Sequence, residues 1–78
     1  MKIAIENLHR HATVEHLKQL FHPFGFVRSA VIETIGSSGM SSCYGIVRID
    51  YRSGLIAIAA LNDLLFMNHY LQVYEMPE

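Results

Sequence analysis

The 78-residue chain has one cysteine, Cys43, no excess of charge of either sign and no long apolar run. A single cysteine excludes an intramolecular disulfide framework and a cysteine-rich zinc site, and it makes a reducing compartment the simpler setting. Six Lys and Arg against seven Asp and Glu leave a formal charge of −1, so no global basic field draws in polyanions. That argues against strong, nonspecific binding to phosphate backbones. No stretch approaches the roughly 18 apolar residues that a membrane span needs. The N-terminus, Met1-Lys2-Ile3-Ala4-Ile5-Glu6, carries charge inside its apolar run and lacks a small-residue cleavage pattern, so it does not read as a signal peptide. A glycine-rich phosphate loop, a paired acid and base and a nucleophile triad are missing too, which leaves an enzyme the least supported class. The expectation is one soluble, cytoplasmic domain over residues 1–78, with no catalysis, no cofactor and no membrane contact.

Apolar residues make up 51% of the chain, enough for one small core. The sequence is organised around Ser42-Cys43-Tyr44-Gly45-Ile46-Val47-Arg48-Ile49, which follows a Gly/Ser loop and reads as a β-strand. Alternation puts Cys43, Gly45, Val47 and Ile49 on one face, a small and aliphatic core set. Ser42, Tyr44, Ile46 and Arg48 share the other face. A Tyr, an Ile and an Arg are an unusual set to leave in water, so function is expected on that second face.

Residues 2–6 alternate as a first strand, with Ile3 and Ile5 inward, and residues 7–12 form a polar connection. Thr13 is a good N-cap, Glu15 suits the first turn, and Val14, Leu17, Leu20 and Phe21 recur at helical spacing. This helix should end at His22-Pro23-Phe24-Gly25. Residues 26–35 read as a second strand and residues 36–41 as a flexible turn, which makes strands two and three an antiparallel hairpin. Ser53 is read as the cap of a second helix over residues 54–61, broken by Asn62-Asp63. Residues 64–67 lead to a turn at Asn68-His69 and a last strand over residues 70–74. The order is βαββαβ, so the expected fold class is α+β: a ferredoxin-like sandwich with a four-stranded antiparallel sheet and two helices on one face.

Ile3-Ala4-Ile5-Glu6-Asn7-Leu8 resembles the first-strand hexamer of the RNA recognition motif family, which runs aliphatic, aromatic, aliphatic, any residue, Asn, Leu. Residues 13–25 are similar to that family's first helix and its Phe-Gly exit. Ser42 to Ile49 is similar to the third-strand octamer, and Ala57-Ile58-Ala59-Ala60-Leu61-Asn62 to the end of the second helix. The resemblance covers essentially the whole chain. It implies single-stranded RNA as the partner, with bases stacking on aromatic side chains of the open sheet face. Those aromatics would stand at Ala4, Tyr44 and Ile46, so only Tyr44 supplies a ring; the octamer's basic opening residue is Ser42 and its Gly is Cys43. The resemblance places Lys2, Ala4, Glu6, Val31, Glu33, Tyr44, Ile46, Arg48, Gln72 and Tyr74 on this surface. Tyr44 would stack a base, Lys2 and Arg48 would meet phosphates or base edges, and Gln72 and Tyr74 would add contacts. The alternative is a domain of this family that has exchanged RNA for a protein partner.

The second helix favours that alternative. Leu55 to Leu61 has no polar residue, and the family pattern turns Gly54, Ala57, Ile58 and Leu61 inward. Leu55, Ile56 and Ala59 are left outside, an apolar patch that implies a homodimer or a protein partner. The N-terminal residues or the tail from Glu75 to Glu78 are the other candidates to cover it.

Five histidines invite a metal reading, since His9 and His11 form a His-x-His pair. No third ligand can be placed beside them from sequence, so no metal site is assigned. The reading kept is that His9, Arg10 and His11 are polar loop residues within reach of RNA at the sheet's edge, where partial protonation makes a contact pH-dependent. Cys43 is read as a small core residue.

Overall fold

The computed structural model describes residues 1–35 and 42–78; the turn expected over residues 36–41 lies outside the described residues. The chain runs β1 (Lys2–Leu8), α1 (Val14–Phe21), β2 (Ser29–Ile35), β3 (Ser42–Arg48), α2 (Tyr51–Leu61), β4 (Leu65–Phe66), β5 (His69–Tyr70) and β6 (Gln72–Met76). Strands β2, β3, β1 and β6 lie in that order in one sheet, each antiparallel to its neighbour. This is the α+β sandwich with two helices on one face, and a small β4–β5 hairpin is added to it.

The core follows the alternation. Ile3, Ile5, Cys43, Val47, Ile49, Leu71 and Val73 of the sheet side meet Leu17 and Phe21 of α1 and Ala57 and Leu61 of α2. Cys43, Val47 and Ile49 are buried as expected of a core face. Gly45 completes that face because a Cβ there would stand 2.7 Å from the Leu17 Cδ1, so the glycine lets α1 lie close on the strand. Thr13 caps α1 through a capping box in which His16 takes the place usually held by Glu. The Thr13 Oγ1 accepts from the His16 N–H at 3.2 Å, and the Thr13 N–H donates to the His16 Nδ1 at 3.0 Å.

Four boundaries differ from the sequence reading. Helix α2 begins at Tyr51, not at residue 54, because Asp50 is the cap: its carboxylate accepts from the Ser53 N–H at 3.0 Å. Strand β2 begins at Ser29, not at residue 26, and the Phe26 ring is 80% exposed ahead of it. Strand β1 extends past Glu6 to Leu8 through a register shift between Ile5 and Leu8. Within it Asn7 adopts φ 65°, a left-handed conformation that Asn tolerates better than other residues with a Cβ. The last strand is Gln72–Met76 rather than 70–74, since Tyr70 pairs with Leu65 in the hairpin. The two-residue loop of that hairpin, Met67-Asn68, has φ 52° and 65°, the mirror-image turn whose twist matches paired strands.

Candidate nucleic-acid interface

Pairing arranges the face opposite the helices in rows across the strands. Ser29, Arg48, Lys2 and Met76 form the first, from β2 through β3 and β1 to β6. Val31, Ile46, Ala4 and Tyr74 form the second. At the far end Glu33 stands opposite Tyr44, and Glu6 opposite Gln72. Every residue assigned to this surface from sequence therefore belongs to it. Ser29 and Met76 were not foreseen; the second required the true extent of β6.

Depth within the face is uneven. Ala4 is only 2% exposed, because the larger Ile46 and Tyr74 flank it on the neighbouring strands. It is a floor, without surface of its own to offer a ligand. Tyr44 and Ile46 are half-buried, while Val31 and Tyr74 are exposed. The result is a shallow apolar trough with a ring at Tyr44 and another at Tyr74.

Charge surrounds that trough. The Glu6 carboxylate facing the Tyr74 hydroxyl pushes the Tyr74 phenol above its ordinary pKa, with desolvation adding to the effect. Arg48, about half exposed, is ion-paired with Glu78, so the tail engages the guanidinium that the sequence reading gave to phosphate. Lys2 is half-buried in the same row, and Glu33 lies exposed at the opposite corner.

On the other side of the molecule, α2 presents Leu55 and Ile56, which is 60% exposed, together with Ala59. Gly54, Ala57 and Leu61 are buried and Ile58 half-buried, as the family pattern implied. Neither proposed cover lies over the patch: Met1 packs at Gly54 on the inner side, and Glu78 goes to Arg48. Among the described residues no three His, Cys, Asp or Glu side chains are arranged to hold a metal ion, and no helix is long and apolar enough to cross a membrane.

The family model described as RNA recognition motif matches residues 3–72. Among solved structures, the RNA-binding protein PG1 is similar over 100% of this chain and 99% of its own, at 33% identity and a TM-score of 0.84. The RNA recognition domains 1 and 2 of Sex-lethal from Drosophila melanogaster match 97% of this chain and 50% of theirs, at 26% identity and a TM-score of 0.82. The Rna15 RRM with bound RNA (GU) has the same fold, with a TM-score of 0.78 over 99% of this chain and 83% of its own at 15% identity. No match was found among curated proteins. A matching family model over nearly the whole length, a PG1 likeness end to end and the sheet just described agree: the chain belongs to the RNA recognition motif family.

Proposed function

We propose that this chain is a single domain, residues 1–78, that binds single-stranded RNA through its open sheet face and performs no catalysis. The observation that carries the reading is the Tyr44 ring on the outward side of the central strand β3, beside the apolar row of Val31, Ile46, Ala4 and Tyr74. Ring and trough offer a flat surface to a base, and Lys2 and Arg48 bring cations to its edge. PG1 is named an RNA-binding protein and the Rna15 domain was solved with GU bound, which supports RNA as the ligand class. The buried, unpaired Cys43 fits a reducing, cytoplasmic setting.

One base stacked on one aromatic contributes about 1–3 kcal/mol, so Tyr44→Ala should weaken binding roughly 5- to 150-fold. Fluorescence anisotropy with labelled random-sequence RNA at two salt concentrations measures it. Affinity that falls with salt and falls again in Tyr44→Ala supports the reading; affinity indifferent to Tyr44 defeats it.

A second reading belongs to α2. Its outward Leu55, Ile56 and Ala59 form an uncharged patch that a second copy of this chain can cover, setting two sheets on one RNA strand. Sedimentation of wild type and Ile56→Lys decides it: a dimer in the first that dissociates in the second supports self-association, and a monomer at high concentration rejects it.

A further inference from the structure

The structure joins what the sequence held apart. His9 lies between two other imidazoles, its ring centroid 5.1 Å from that of His11 and 5.2 Å from that of His69. His69 arrives from β5, on a hairpin tied to β1 by the Asn7 Nδ2 donating to the Tyr70 carbonyl at 2.9 Å. The His11 N–H donates to the His9 Nδ1 at 2.9 Å, so the neutral His9 ring carries its hydrogen on Nε2. Arg10 is exposed in the same loop. Desolvation first, then the positive charge of His11, His69 and Arg10, holds His9 below its ordinary pKa. No carboxylate enters that balance.

On α1, next to His16, Glu15 is ion-paired with Lys18 at 3.7 Å. From α1, His16 packs edge-on against Phe66 at 5.7 Å, and Phe66 is paired with His69. Glu6 is the carboxylate on the β1 side, opposite Gln72 and within the end row of the sheet. Glu6 lies three residues before His9, on the other side of the left-handed Asn7 and the register shift. The cluster lies just past the Leu8 end of β1, where Leu8 stands opposite Cys43. Three imidazoles and a guanidinium gather N–H donors and latent positive charge, and among the described residues none of them forms an ion pair with a carboxylate. An anion with several acceptor oxygens is the ligand this chemistry takes.

We propose that His9, His11 and His69, with Arg10, form a second RNA contact that grips a backbone phosphate at the Leu8 end of the sheet and tightens as the imidazoles gain protons. This rests on the sheet-face reading and extends its path by one step. Phosphate beside His9 offsets the repulsion that protonation creates, so binding and proton uptake assist each other. Acidification then raises affinity.

The test is RNA anisotropy at about pH 7.5 and about pH 5.5, at fixed salt, for wild type, Tyr44→Ala and the triple variant His9→Gln, His11→Gln, His69→Gln. Wild-type affinity should rise about three- to tenfold on acidification, and the triple variant should lose that rise while keeping its Tyr44-dependent binding at the higher pH. A rise that survives in the triple variant overturns the phosphate contact and leaves the sheet reading standing; binding indifferent to Tyr44 defeats the sheet reading instead. Single His11→Gln and His69→Gln variants, each expected to lose part of the rise, keep the test decisive if the triple variant unfolds. Imidazole NMR signals with inorganic tripolyphosphate give a readout without bases. Shifts at His9 and His69 with His22 unmoved support the contact, and no shift, or an equal shift at all five rings, overturns it.

Discussion

Replacing Asn7 tests whether the left-handed residue in β1 holds the working end of the sheet together. Asn7→Ala puts an ordinary Cβ at φ 65°, which costs about 1–2 kcal/mol for most residues. It also removes the exposed hydrogen bond to the Tyr70 carbonyl, about 0.5–1 kcal/mol more. The expected loss is about 1.5–3 kcal/mol. Asn7→Gly keeps the backbone conformation without strain but loses the bond and adds freedom to the unfolded chain, about 1–2 kcal/mol together. A chain of 78 residues unfolds with an entropy of about 0.16 kcal/mol/K, so Tm should fall by about 9–18 °C in the alanine variant and about 6–12 °C in the glycine variant. Thermal denaturation followed by circular dichroism measures both. Equal falls for alanine and glycine would show that backbone strain does not decide this position. A fall below about 0.5 kcal/mol in alanine would refute the whole estimate.

Two further predictions follow from charged contacts at the same face and at α2. Glu78→Gln frees Arg48 from an exposed ion pair of about 0.2–1 kcal/mol, so RNA affinity should tighten by about 1.4- to 5-fold. The gain should vanish when Arg48 is also changed to Gln; a gain that persists belongs to net charge and not to Arg48. At α2 the Ser53 N–H donating to Asp50 holds that carboxyl below its ordinary pKa, with the Ser53 side chain adding to it. The ionised cap stabilises the fold above the unfolded pKa, and this contribution is lost as pH falls through the lower folded value. Asp50→Asn, a neutral cap, should flatten the Tm profile between about pH 5 and about pH 2; parallel profiles would count against the assignment.

Faces were more legible than boundaries, and depth was least legible of all. Alternation along Ser42 to Ile49 placed Tyr44 outward and Cys43 inward because a strand has only two sides. The start of α2 was misplaced because Asp50 and Ser53 are both good caps, and only the observed bond shows which one receives the N–H. The turn expected at Asn68-His69 falls one residue earlier, at Met67-Asn68, and the pairing of β4 with β5 around it escaped because its two positive φ angles come without a glycine to announce a tight hairpin. Ala4 was rightly put on the open face, but periodicity gives a residue's side and not the size of its neighbours. The joining of His69 to His9 needed that same unrecognised hairpin, so a spacing rule had no hold on it.

The floor at Ala4 bears on time as well as on strength. With Tyr44 as the only ring on the two central strands, a base has a single plane to leave before it is released over a smooth aliphatic strip. Among related complexes association rates differ little, and weaker hold shows itself as faster departure. On the proposed footing this domain makes brief visits to RNA and must renew them often. An aromatic residue in place of Ala4 would lengthen each visit more than it would quicken the encounter.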